Sequence, residues 1–262
     1  MITDVANRSV VDCRGGWSSW ESNFELSCKA VPFERIIEVL EFLPYAHPIR
    51  VYVQFLFLTG ARVSEACKIE FEGKDSFIKG NYVFWRCGKN QHGQWRKEFL
   101  PDFFLKELDV YKSQTKGFKG RLFHTEAKTF GSYFNRFIRP YLSSDWHERS
   151  VVPHGLAVEH ILNLKGLRKS FATLAFWGFW DEYDDANIAM VLTCKRMRHS
   201  TTGMTINHYI DQSQRLNRDK WKGSTPSQIL ALVAQRSLVE FKHDKFTFKL
   251  VEENKQKRIQ EF

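Results

Sequence analysis

From Pro32 onward apolar residues fall at three- and four-residue steps. Phe33, Ile36, Ile37 and Leu40 make one stripe, and the spacing predicts a helix with Pro32 in its first turn. Pro44 and Pro48 then break the chain before a second, more deeply buried helix from about Ile49 to Leu58, which Gly60 ends. After Glu65 the pattern changes to short β runs. Phe77-Ile78 and Tyr82-Val83-Phe84-Trp85 flank Lys79-Gly80-Asn81, and Gly88 to Gly93 leads into Trp95 and Phe99-Leu100, which predicts a small antiparallel meander. Helical signals return over Phe103 to Lys112, Thr129 to Phe137 and Leu167 to Trp177. Near the end, Thr225-Pro226-Ser227-Gln228 fits a capping box with proline at the first helical position, followed by the apolar face of Ile229, Leu230, Leu232, Val233, Ala234 and Leu238 to about Phe241.

The ends of the chain read differently. Residues 1 to about 30 are polar and spotted with Gly, Ser and Trp, which predicts an arm or tail. Lys245 to Val251 alternates, with Phe246, Phe248 and Leu250 on one side, and the charged run Glu252 to Arg258 reads as a solvated end. The expected organisation is an arm over 1–30, one main domain over 31–215, and a C-terminal helix and strand extension over 216–262.

Composition narrows the class of protein. The 262 residues are 43% hydrophobic and 26% charged, enough to bury one large core. Lys and Arg outnumber Asp and Glu by 39 to 30, a formal +9. That excess favours a polyanionic partner such as nucleic acid, although solubility alone would also account for it. The 23 Phe and 8 Trp imply a bulky core and also allow stacking on exposed DNA bases. Five scattered cysteines without a Cys-x-x-Cys pair argue for a reducing interior and against a disulfide scaffold or structural zinc. The apolar runs are too short for a membrane span, so an intracellular location is expected.

The candidate chemistry lies in separated segments. Thr59-Gly60-Ala61-Arg62-Val63-Ser64-Glu65 closes the buried helix, Gly88-Lys89 sits in a turn of the predicted meander, and Lys165-Gly166-Leu167-Arg168-Lys169-Ser170-Phe171-Ala172-Thr173 opens a later helix. Met197-Arg198-His199-Ser200 follows, and Tyr209 stands ten positions after His199. A phosphodiester repels a nucleophile, and its transition state concentrates charge on the non-bridging oxygens. Two arginines from distant segments could clamp those oxygens with planar forks that stay charged at any working pH. A tyrosine attacking there would need such cations, because its phenol has a pKa near ~10.

In this order the segments resemble the active site of the tyrosine recombinases, the phage-type integrases and Xer-like resolvases, whose pattern is Arg, Lys, His-x-x-Arg, His or Trp, Tyr. The resemblance covers roughly Val31 to Ile210. It implies a mixed, mainly α fold with a small antiparallel β-sheet, and a site-specific DNA recombinase that cleaves and rejoins double-stranded DNA through a transient 3′-phosphotyrosyl link on Tyr209. Arg62, Arg168, His199, Lys89 and Lys165 would surround the phosphate, and Glu65 would support Arg62 or a histidine. Lys89 would be the general acid for the departing sugar oxygen, with Lys97 and Arg96 as competitors. No cofactor or metal is expected.

The chain also departs from the pattern. Lys165 replaces the usual histidine, a variant known in archaeal virus integrases, and suits a phosphate ligand better than a base. Arg198 stands where Gly is usual, and His199 to Tyr209 is one residue longer than in the commonest members. About thirty residues before the catalytic part are too few for the additional helical domain of full-length integrases. A homotetramer on DNA is implied, with the helix from Pro226 to Phe241 packed on a neighbouring protomer. Other readings remain open. These are a relaxing enzyme of the type IB topoisomerase kind, a non-catalytic DNA-binding relative, and a metal nuclease using Asp181, Glu182, Asp184 and Asp185. That acidic run reads rather as caps and solvated loop between helices, and His147, His154 and His160 have no metal-binding spacing.

Overall fold

The computed structural model describes residues 30–86, 95–115, 120–123, 126–143, 146, 150–151, 157–158, 162–199, 201–210 and 216–243. Residues 1–29 of the expected arm, Lys89 in its turn, His147, His154, His160, and the stretches over 245–258 lie outside the described residues.

The architecture is mainly helical with one small antiparallel sheet, and its centre is a single helix. Helix α1 (Phe33–Phe42) is followed by α2 (Pro48–Thr59), of which every residue from Ile49 to Thr59 is buried. A helix apolar on nearly all sides has to be enclosed, and α2 is covered by α1, by α4 (Asp102–Gln114), by α6 (Gly166–Tyr183) and by α10 (Pro226–His243). His47 Nδ1 accepts from the Ile49 N–H to cap its start, and Gly60 ends it in the left-handed conformation.

Two polar residues interrupt this apolar helix one turn apart, Arg50 and Gln54, and both are buried. They meet Glu107 of α4. Its Oε1 accepts from Arg50 Nε at 2.7 Å and from the Ala46 N–H at 3.0 Å, and its Oε2 accepts from Gln54 at 2.8 Å. Arg50 also donates to the Leu40 and Leu43 carbonyls at the end of α1, where the helix dipole favours a cation. The cluster therefore locks three segments together. Replacing Glu107 by Leu should lower unfolding free energy by about 3–5 kcal/mol in denaturant titration, because it strands the Arg50 charge in the core. Adding Arg50→Met should recover most of that loss, and a double variant no better than the single would show that the charge is not the cause.

The short helix α3 (Val63–Ala66) leads to the meander: β1 (Ser76–Lys79), β2 (Tyr82–Arg86) and β3 (Trp95–Phe99) pair antiparallel in that order. The predicted helix over Thr129 to Phe137 divides in two. α5 (Ala127–Tyr133) runs into a π-helical turn at Phe134–Ile138 and a 3₁₀ turn at Arg139–Tyr141, since Pro140 has no N–H to continue the α ladder. A two-stranded pair, β4 (Ser150–Val151) with β5 (Ala157–Val158), precedes α6.

Helix α7 (Ala186–Met197) packs along α6, and α8 (Thr202–His208) and α9 (Arg218–Trp221) come after it in the chain. The acidic run lies at the α6–α7 junction. Asp185 caps α7 by accepting from Asn187 and Ile188, Asp184 takes the left-handed cap of α6, and Asp181 pairs with Arg218 at 3.0 Å. Capping and solvation account for that run. The Thr225/Gln228 capping box is present, and Ile229, Leu230 and Val233 of α10 are buried against α1 and α2 of the same chain. Those first turns of α10 therefore pack into this chain's own core. No described helix is long and apolar enough to cross a membrane.

Candidate functional site

The site forms where the end of α2, the start of α6 and the end of α7 meet. Thr59 and Gly60 turn the chain there, and Gly60 is required twice over. Its φ is +57°, and a Cβ would lie 2.3 Å from Phe171 Cδ1 of α6. Gly60→Ala should therefore destabilise by about 1–2 kcal/mol through the backbone plus about 1–3 kcal/mol through overpacking. A thermal midpoint unchanged from the parent would contradict this close approach.

Arg168 is 5% exposed and lies in the first turn of α6. Its guanidinium donates to the Gly60 carbonyl and, at 2.7 Å, to the Met197 carbonyl. Those oxygens belong to the C-terminal ends of α2 and α7, where helix dipoles leave partial negative charge, so a buried cation is held without a carboxylate in direct contact. Burial, followed by the charges of Arg96 and Arg62, pushes the Arg168 pKa down to about 10, while Tyr209 and Glu65 act the other way. It remains ionised at neutral pH. Its Nε is buried with no hydrogen-bond partner among the described residues, an orphan donor inside a cationic cluster.

His199 is equally buried and lies 3.4 Å from Arg168 through Nε2, while its Nδ1 is 2.8 Å from Thr205 Oγ1. A guanidinium can only donate, so Nε2 is the acceptor and Nδ1 carries the proton toward Thr205. The His199 ring packs on Tyr209 with centroids 4.1 Å apart, and the Arg168 guanidinium carbon is 5.4 Å from the Tyr209 ring centre. Tyr209 rests on Phe171, Ala172 and Met197, and its carbonyl accepts from Thr173 at 3.4 Å. The run from Arg168 to Thr173 thus has a local explanation. One helix face presents Arg168, Phe171 and Ala172 to the Gly60 turn and to Tyr209, while Ser170 donates to the Val31 carbonyl on another side.

Arg62 and Glu65 form a reciprocal pair at the start of α3. Glu65 accepts from the Arg62 N–H at 2.9 Å and from its guanidinium at 2.6 Å. Burial would raise the Glu65 carboxyl, but the Arg62 N–H and guanidinium, together with the Arg168 charge, hold it below the usual carboxylate range. Arg62 is 30% exposed and lines an open groove of about 550 Å³ with Ser64, Lys68, Lys74 and Arg86, a groove Arg168 does not line. Lys165 is exposed at the start of α6, and its ammonium has no hydrogen bond or ion pair with described residues.

Of the two competitors for the lysine role, Arg96 is 3% exposed and serves the scaffold. It donates to the Thr59 carbonyl and to Glu98 at 3.1 Å, under the Trp85 ring at 5.0 Å. Glu98 also accepts from Arg196 of α7 at 3.1 Å. Sheet, α2 turn and α7 are thereby tied together. Sequence reasoning missed Glu98, Arg196 and Thr205. The alternation of β3, which puts Arg96 and Glu98 on the side opposite Trp95 and Lys97, was the signal that could have found the buried pair.

No family model matches the chain, and no curated protein matches it either. Solved structures do resemble it. The crystal structure of XerA recombinase shares 18% identity over 73% of this chain and 62% of that one, with a TM-score of 0.47. A lambda integrase dimer bound to a COC′ core site shares 16% over 72% and 49% (TM-score 0.45), and XerH site-specific recombinase bound to difH substrate shares 15% over 72% and 52% (TM-score 0.46). The chain thus spans between 49% and 62% of the lengths of these three.

Proposed function

We propose that this chain is a DNA strand transferase of the tyrosine recombinase kind, with Tyr209 as nucleophile. The observation that carries the reading is the convergence of Arg168, His199 and Tyr209, residues far apart in sequence, into one contacting group. The Tyr209 oxygen attacks the phosphorus, a tyrosyl O–P bond forms, and the bond from phosphorus to the 5′ sugar oxygen breaks, leaving a 3′-phosphotyrosyl link. Attack by a 5′ hydroxyl reverses the sequence and reseals the strand without ATP.

Arg168 supplies fixed positive charge beside the phenol, where charge develops, and its orphan Nε is a donor in want of an anion. His199 contacts Tyr209, and its Nε2, which accepts from Arg168 here, takes the phenol proton once a bound phosphate draws that guanidinium away. Arg62 clamps a phosphate oxygen with Glu65 orienting it, and exposed Lys165 adds a cation at the rim. Lys89 protonates the leaving sugar oxygen. Double-stranded DNA is the substrate, held by a homotetramer, and the chemistry needs no metal.

The test is a nicked duplex carrying candidate sites, incubated with the full chain in EDTA and then denatured. A covalent protein–DNA adduct is expected. Cleavage that requires a divalent cation and leaves no adduct would overturn the proposal in favour of a nuclease, and sequence-independent plasmid relaxation by monomer would move it to the topoisomerase kind.

A further inference from the structure

The three-stranded sheet buries an ion pair on its inner face and carries most of its aromatic rings on the outer one. Arg96 and Glu98 fill the inner face of β3, so alternation turns Trp95, Lys97 and Phe99 outward, and the register places Tyr82, Phe84 and Phe77 beside them. Phe77 stacks on Phe84 at 4.8 Å and tilts against Trp95 at 5.5 Å, and Tyr82 meets Phe99 edge-on at 5.6 Å. Tyr82, Trp95 and Phe99 remain 38%, 40% and 45% exposed. Cations interleave with the rings. Lys97 Nζ lies 3.9 Å from the Tyr82 ring centre, Arg86 lies 5.0 Å from that of Trp95, and Lys79 pairs with Tyr82 in the register. The acids at this rim include Asp75, 3.6 Å from Arg86, and exposed Glu72, bridged opposite Phe77.

A contiguous exposed aromatic face marks a binding surface. Its lysines argue against a protein partner, since lysine is depleted from protein interfaces, whereas a face rich in cations complements phosphate. Duplex DNA hides the faces of its bases, and a single strand offers them. We propose that the outer face of this sheet binds single-stranded DNA, with unpaired bases stacked on Trp95 and Phe99 and with Lys97 and Arg86 meeting the phosphates. Trp95 and Phe99 lie four residues apart on one strand, about 14 Å with Lys97 midway, which separates two stacking platforms by one cation. That the strand is DNA rests on the strand-transferase reading; the stacking face does not.

The full chain is titrated with a labelled single-stranded oligodeoxynucleotide and with its duplex at fixed salt. Trp95→Ala/Phe99→Ala should weaken single-strand binding by about 5- to 150-fold for each base lost. Duplex affinity and the Tyr209 adduct should not change. Trp95→Phe, which keeps a ring, should retain most of the binding and shows whether any loss comes from misfolding. Unchanged single-strand affinity, an equal loss on duplex, or loss with Trp95→Phe as large as with Ala would overturn the proposal. So would variants that abolish self-association and leave oligonucleotide binding intact, which would make the face a contact between copies. Failure of the strand-transfer reading would appear separately, as absence of the adduct.

Discussion

Tyr209→Phe is expected to abolish the denaturant-resistant adduct completely while leaving the fold and the affinity for duplex DNA close to those of the parent. The substitution removes one oxygen. The ring that rests on Phe171, Ala172 and Met197 is preserved, as is the carbonyl held by Thr173. Stability should therefore change little, and loss of the adduct would report loss of the nucleophile alone. Residual adduct in the variant would mean that a different side chain makes the bond, and the assignment of Tyr209 would fall. Gel mobility under denaturing conditions reads the adduct, and a thermal midpoint reads the fold.

Arg168→Lys is expected to lower the rate of adduct formation by about 10²–10³-fold, the usual cost of removing one preorganised donor at a charged transition state. It should also cost stability. Arg168 spans the ends of α2 and α7 because its fork reaches the Gly60 and Met197 carbonyls together. An ammonium is a single point of charge and cannot reproduce that planar span. One buried carbonyl then loses its donor, at about 1–3 kcal/mol. The two effects separate experimentally, since rates measured well below the variant's thermal midpoint report chemistry. A variant destabilised yet fully active would make Arg168 a scaffold residue only.

The split between what the chain announces and what it conceals follows the range of each interaction. Pro48, the apolar run and Gly60 announce α2, because capping, burial and left-handed backbone are local properties. The capping box at Thr225 and the short β runs around Lys79-Gly80-Asn81 are local in the same sense. Helix α7 escaped notice because its buried strip is narrow, Ala189, Thr193, Cys194 and Met197, while Ile188 and Val191 face solvent and blur the period. The tie from Arg196 through Glu98 and Arg96 to Thr59 escaped notice as well, since its partners span as many as 98 positions. Arg198 shows the limit of motif reading. It occupies the left-handed cap of α7 at φ +54°, where the resembled pattern carries glycine, so the backbone role survives a change of residue.

By itself the sequence determined the helices with strong periods, the three-stranded meander, and the residue types available for phosphate chemistry: two arginines, a histidine and a tyrosine in order. Those are consequences of spacing, and spacing is visible in one dimension. Tertiary structure alone decided that Arg168, His199 and Tyr209 touch, and that Arg62 turns to Glu65 and Lys165 to solvent. It also decided that Arg96 is sealed beneath the sheet, with aromatic rings outside. Each of these depends on how helix ends and strand faces meet across the core, where burial and the pairing of charge are settled between segments rather than within them.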